Sequence, residues 1–240
     1  NQYSDPDYFR SRENKVVFTI PGLGTFSFSR TGYCLLNAVT LALFVLTLTL
    51  YVVTGRIKLR KVFYNSLTIL GCGVLIAAVA TGLAYAATRI SGVPFSFDTT
   101  KFLSWDWILT LVVIALTVCL YIWFFTSRVR RSESFVFEHV LGLLLLILAV
   151  SAVLLVTVGE NFFLLLPALC AIAALLLHMF VYMNVMSLPA LLPVVLTGAS
   201  FLYNLYTALT VGSLGIIMFL VYLYAIMAAS LVRCFMYQRR

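Results

Sequence analysis

The stretch Phe137-Glu-His-Val-Leu-Gly-Leu-Leu-Leu-Leu-Ile-Leu-Ala-Val-Ser-Ala-Val-Leu-Leu-Val-Thr-Val158 decides the fold, because after His139 it carries no charge. About 20 mostly apolar residues are what a helix needs to cross the hydrocarbon core of a bilayer. A barrel strand would be shorter and would alternate apolar with polar positions, which this run does not do. Working outward, six more runs of the same kind are found: Tyr33–Thr54, Asn65–Thr88, Trp105–Thr126, Phe162–Met183, Leu188–Leu209 and Val211–Val232. Of the 240 residues, 63% are hydrophobic and 10% charged, against about 25% charged in a soluble domain. The chain cannot cover its own surface with polar groups, so lipid has to solvate part of it. The sequence predicts an all-α membrane protein of about seven transmembrane helices in mostly antiparallel up-down order.

The charges give an orientation. Gly55-Arg-Ile-Lys-Leu-Arg-Lys61 follows the first span, Ser127-Arg-Val-Arg-Arg-Ser-Glu133 follows the third, and Arg233, Arg239 and Arg240 follow the seventh. The side these three segments face holds ten of the sixteen Lys and Arg residues but only two acids, Glu133 and Glu138, the latter at the start of the fourth span. The alternate loops carry six cations (Arg10, Arg12, Lys15, Arg30, Arg89, Lys101) and six acids (Asp5, Asp7, Glu13, Asp98, Asp106, Glu160), so the whole +8 lies on one face. Short basic loops stay in the cytoplasm. The expectation is an extracytoplasmic N-terminus and a cytoplasmic C-terminus. Clusters between apolar runs are a topology signal and not a nucleic-acid footprint. The connections near Gly159, at Asn184–Ser187 and near Thr210 are so short that the spans flanking them should form antiparallel hairpins. Pro189 falls in the first turn of the sixth span, while Pro167 and Pro193 lie deeper and should kink their helices.

The first 32 residues differ in kind. Asn1–Asn14 is polar and reads as a linker. Within Lys15–Arg30, the runs Lys15-Val-Val-Phe-Thr-Ile20 and Thr25-Phe-Ser-Phe-Ser29 flank Pro21-Gly-Leu-Gly24, and Phe18, Ile20, Phe26 and Phe28 all fall on even positions. That pattern predicts a β-hairpin. An isolated hairpin is marginal in water, so it should rest on the outer membrane surface or against a neighbouring domain. The seven-helix domain then occupies Thr31–Arg240. The chain starts with Asn, has no signal peptide and puts its head outside, which suggests the C-terminal part of a longer protein.

Candidates for chemistry are few. Cys34, Cys72, Cys119, Cys170 and Cys234 are dispersed without a CxxC pair, so buried apolar side chains are expected and not a disulfide or zinc framework. Glu138 and His139 are adjacent, hence about 100° apart on a helix. They are expected at the interface near water, which disfavours a joint metal or proton-relay role. His178 lies in the last third of the fifth span, and intramembrane ionisable residues are functional candidates. Tyr203, Asn204, Tyr206 and Thr207 form a polar patch in the sixth span, read as interhelical hydrogen bonding or as a substrate groove. Gly71, Gly73 and Gly82 would permit close contacts of the second span. Trp105, Trp107 and Trp123 bracket the third span as an aromatic belt. Gly22-Leu-Gly24 follows Pro and opens a strand, so it is no nucleotide fingerprint. HExxH, GxSxG and Walker-type motifs are absent from the sequence. No catalytic, cofactor or metal residue is assigned within the chain.

Glu13-Asn-Lys-Val-Val-Phe-Thr-Ile-Pro-Gly-Leu-Gly-Thr-Phe-Ser-Phe-Ser29, followed directly by a span, resembles the junction in membrane-anchored zinc exopeptidases. These are the vacuolar membrane protease and endoplasmic-reticulum metallopeptidase type, with their bacterial relatives. Arg128-Val-Arg-Arg131 is similar to that group's basic loop, and Gly159-Glu-Asn-Phe-Phe-Leu-Leu-Leu-Pro167 to its G-x-S-Y-x-F-x-W-P segment. Asn161 and Leu166 stand where Ser and Trp are usual, and the first strand lacks the Asp common in fungal members. The resemblance implies an upstream aminopeptidase-like catalytic domain, outside the cytoplasm, holding zinc through its own His, Asp and Glu ligands. The partners of this chain would be the lipid bilayer and that peptidase domain. The rival reading is a stand-alone small-molecule transporter, channel or lipid-handling protein with a polar path past Tyr203, Asn204 and Tyr206. A seven-helix receptor fits less well, because its later loops are too short for a ligand vestibule.

Overall fold

A computed structural model describes residues 15–20, 24–92, 94–96, 134–157, 161–180 and 213–236, with isolated helical positions between 112 and 123 and between 192 and 198. The described chain runs β1 (Lys15–Ile20), β2 (Gly24–Ser29), α1 (Arg30–Val53), α2 (Leu59–Ser91), α3 (Ser134–Thr157), α4 (Phe162–Phe180) and α5 (Leu214–Met236). The expected first, second, fourth, fifth and seventh spans thus coincide with helices. The linker Asn1–Asn14, most of the expected third and sixth spans, and the patch at Tyr203–Thr207 lie outside the described residues.

Helices α1 to α4 are each long and apolar enough to cross a membrane. The 24 residues of α1 span about 36 Å and the 33 of α2 about 50 Å at 1.5 Å per residue, against about 30 Å of hydrocarbon. The pattern of burial identifies the solvent. The buried stripe of α1 is Tyr33, Thr40, Phe44, Thr47 and Tyr51, while Leu35, Val39, Leu41, Val45 and Leu46 are exposed. In α2 the buried positions include Asn65, Ser66, Gly73, Ala80 and Ala84, and Phe63, Leu67, Val74, Leu75 and Val79 face outward. Large aliphatic side chains cover the outward faces, while the inward faces mix small and polar residues with Phe44, Val62 and Ile69, which is not the polar-out order of a water-soluble helix. Outward faces of this kind suit a membrane environment.

The hub is α3, which packs on α2, α4 and α5. Helix α2 also packs on α5, and α1 packs on α4. Leu141, Leu143, Leu144 and Ile147 of α3 are fully buried, which accords with a helix that is apolar all round. Close approach comes from glycines. A Cβ on Gly142 of α3 would lie 2.7 Å from the Val62 carbonyl oxygen and 3.1 Å from the Ser66 nitrogen of α2. Of the three glycines that would permit close contacts of the second span, Gly73 makes one, against the Phe219 ring of α5, while Gly71 and Gly82 face open space. The cysteines also depart from expectation. Cys34 and Cys119 are exposed, and Cys72 and Cys170 half-buried, because on a lipid-facing surface a weakly polar thiol has no reason to turn inward.

At the N-terminal side, β1 and β2 pair antiparallel with Val16 opposite Phe28 and Phe18 opposite Phe26. Residues 21–23 between them are not described. Both strands touch α1, and Ser29, the last residue of β2, is the N-cap of α1 through a 3.1 Å bond from the Gly32 N–H to its Oγ.

The glycine geometry separates two substitutions. Gly142→Ala should destabilise the bundle by about 1–3 kcal/mol, because the new methyl meets backbone that cannot yield. Gly71→Ala should gain up to about 1 kcal/mol from helix propensity alone. Thermal unfolding of both variants in the same detergent checks the opposite signs.

Candidate functional site: polar nodes at the ends of the helix bundle

Polar side chains among apolar helices must find partners inside, and among the described residues the polar contacts between elements fall mainly toward the two ends of the bundle. At the hairpin end Asn161, just before α4 and only 3% exposed, joins three helices. The Tyr33 hydroxyl of α1 donates to Asn161 Oδ1 at 2.5 Å and accepts from the Asn161 backbone N–H at 2.8 Å. Asn161 Nδ2 donates to Asn37 Oδ1 of α1 at 2.7 Å, and to Ser151 Oγ and the Ser151 carbonyl of α3 at 2.6 and 3.0 Å. The Asn161 carbonyl accepts the N–H groups of Leu164 and Leu165 at 3.0 Å, which starts α4. One amide therefore starts one helix and ties it to two others. In the sequence Asn161 stood out only as a departure from a motif, and Tyr33, Asn37 and Ser151 did not stand out at all. Their signal was available, since amide and hydroxyl side chains near the ends of otherwise apolar spans mark helix contacts.

At the opposite end the loop after α1 is held by α3. Glu138, 2% exposed, accepts the Lys58 backbone N–H at 3.2 Å and lies 3.7 Å from the Lys61 ammonium. Beside it the Arg56 guanidinium sits over the Tyr51 ring at 5.9 Å. Tyr51 stands 5.5 Å from Phe137 and Phe137 6.0 Å from His178, centroid to centroid. The Tyr51 hydroxyl donates to the Leu175 carbonyl of α4 at 3.2 Å. His139, 1% exposed, lies against Phe135 at 5.2 Å. Glu138 and His139 were expected at a wet interface. Both are buried, because the first turns of α3 are covered by its neighbours even at this end of the bundle, where Lys61 beside Glu138 remains half exposed. They serve different contacts, as their angular separation implied. Among the described residues no group of three His, Cys, Asp or Glu could hold a metal.

A third node solves the problem made by Pro167. A proline inside a helix has no N–H for the carbonyl four residues earlier, which here is Phe163 of α4. The Tyr224 hydroxyl of α5 donates to that carbonyl, and Thr197 hydrogen-bonds Tyr224 in turn. Gly198 admits the ring, since a Cβ there would lie 3.1 Å from Tyr224 Cδ1.

The Tyr224 bond gives a coupling test. Tyr224→Phe should cost about 1 kcal/mol, within the range of membrane interhelical hydrogen bonds. The same change should cost almost nothing in a Pro167→Ala background, where residue 167 regains its N–H. A double-mutant cycle on unfolding in detergent measures the difference.

Compared with known proteins, the chain matches no family model, no curated protein and no solved structure.

Proposed function

We propose that this chain is the membrane-anchoring and orienting domain of a zinc-dependent, aminopeptidase-like protease whose catalytic domain lies upstream of residue 1 on the extracytoplasmic side, joined through the linker Asn1–Asn14. The observation that carries the anchoring role is the junction at Ser29. Strand β2 passes into α1 with no intervening loop, and Ser29 caps the helix it enters. Whatever the hairpin carries thus takes its orientation from α1, and α1 takes its own from the Asn161 node. A domain that served only as a tether would function with a flexible linker at this point. The peptidase identity rests on the resemblance of residues 13–29, 128–131 and 159–167 to the zinc exopeptidase group. The zinc would be held by the upstream domain.

The seven-span arrangement is supported by helix direction. Helix α2 starts beside the start of α3, as the Lys58–Glu138 bond requires. The chain leaving the far end of α2 therefore has to return along the bundle before α3 begins. Helix α4 starts beside Tyr33 at the hairpin end, and α5 begins at Leu214, with Gly215 against Ala77 and Thr81 in the far half of α2. A second return is needed there. Runs of spanning length, Trp105–Thr126 and Leu188–Leu209, sit at both places. The basic segment Arg56–Lys61 favours the cytoplasm for its end of the bundle.

Two measurements test this. In a cysteine-free background, Ser27→Cys should react with an impermeant maleimide added to intact cells, and Arg60→Cys should react only after permeabilisation; the reverse pattern overturns the orientation. The full-length protein should release N-terminal residues from peptides, lose that activity to a chelator and regain it with zinc. A transcript encoding a different upstream domain, or none, overturns the peptidase assignment.

A further inference from the structure

We propose that the start of α2 is a binding site for one anionic phospholipid, its phosphate held by Lys58 and Arg60 and an acyl chain lying along Tyr64, Leu67, Gly71 and Leu75. The proposal goes beyond the anchoring role and does not depend on what the hairpin carries.

The four cations between Arg56 and Lys61 are not equivalent. Arg56 is turned over the Tyr51 ring, and Lys61 faces Glu138 at 3.7 Å. Lys58 and Arg60 are exposed, and among the described residues the Lys61–Glu138 contact is the ion pair at this end of the bundle. Among the described residues, Lys58 and Arg60 thus carry two exposed charges with no carboxylate partner. Their location adds to the imbalance. The first turn of α2 contains no acidic residue, and Lys58 provides no side-chain cap. The positive end of a helix dipole repels cations and attracts anions, so a phosphate at this point offsets both the side-chain charge and the helix end.

The same helix supplies the apolar half of the site. Residues 60, 64, 67, 71 and 75 recur at intervals of three and four, which sets them on one face. That face is uncovered: Tyr64 is 61%, Leu67 66% and Leu75 64% exposed. A Cβ on Gly71 would meet nothing within 4 Å, so the stripe dips between Leu67 and Leu75 by the width of a side chain. With Arg60 at the headgroup, Tyr64, one turn farther along, would place its phenol between headgroup and acyl region. A soluble anion could satisfy the cations but would leave this stripe bare. A phospholipid with a net negative headgroup fits both halves, and the leaflet beside a basic loop is where anionic lipids attract such segments.

The test is lipid retention. The chain is reconstituted in equimolar phosphatidylglycerol and phosphatidylcholine, released into mild detergent, and its bound lipid identified by native mass spectrometry. The wild type should retain phosphatidylglycerol selectively. Lys58→Gln and Arg60→Gln should each lower that preference about fivefold, with thermal unfolding unchanged because both side chains are exposed. Arg60→Lys should keep most of it, and Arg89→Gln at the far end of α2 should change nothing. Equal preference in wild type and in the Lys58 and Arg60 variants overturns the site, as does an equal loss in Arg89→Gln. Displacement of the lipid by glycerol phosphate at matched concentration would reveal a headgroup-only anion site and overturn the lipid assignment.

Discussion

Hydrocarbon offers a polar group no partner, and the described part of the molecule is arranged around that constraint. The simplest response is local. The hydroxyls of Thr40, Thr47, Thr49, Thr54, Thr68, Thr81 and Thr157 each donate to the carbonyl four residues earlier in the same helix, at 2.7 to 2.9 Å. These threonines need nothing from a neighbouring helix, which is why several can face lipid. The groups that cannot close on their own helix become the places where helices are joined. An Asn amide has two N–H donors and a carbonyl acceptor to satisfy. Asn161 reaches α1 and α3 with them. The carbonyl freed by Pro167 reaches α5. Helix association in membranes has no hydrophobic drive, so these obligations specify which helices meet.

Helix α1 is positioned by few contacts. Its buried stripe is narrow, and its main helical partner is α4. Tyr33 and Tyr51 are five full turns apart on the same face, about 27 Å along the axis. The first bonds Asn161 at the start of α4 and the second bonds the Leu175 carbonyl near its end. Each interhelical bond contributes roughly 0.6 kcal/mol, so neither fixes α1 by its energy alone. Their separation matters more, because two points at opposite ends of a rod define its tilt where one point would leave it free to pivot.

The helices were legible in the sequence because length and apolarity report directly on the bilayer. Five of the expected spans coincide with α1 to α5, four of them within about four residues at each end, while α2 begins at Leu59, ahead of the expected Asn65. Partner choice was not legible. Gly71 and Gly73 are two residues apart with the same composition around them, yet only Gly73 meets a neighbour. Gly142, in the middle of a leucine run, gave no sign that α2 crosses at its position. Glu138 and His139 were expected near water because their distance from the end of the span suggests it, but depth along a helix says nothing of how many neighbours enclose it. Cys34 and Cys119 were expected inside by the habits of water-soluble proteins, in which apolar side chains turn inward. Here the outside is equally apolar, so that rule loses its force. The node at Asn161 joins residues 128 positions apart in the chain, and no local pattern carries such a pairing.

The two ends of the bundle constrain the chain differently. At the hairpin end, neutral hydrogen bonds hold α1, α3 and α4 together without any charge. At the basic end, the loop after α1 is pinned by a carboxylate that α3 buries. Burying a carboxylate is costly unless its partners remain, so α3 and the loop must move as one. Helix α1 therefore enters from a strand whose last residue, Ser29, caps it, and leaves into a loop fixed to the hub. A torque applied to the hairpin has no flexible segment in which to dissipate before it reaches α3 and α4. That stiffness is unnecessary in a passive tether, and it is what supports the proposal that the fold orients whatever the hairpin carries.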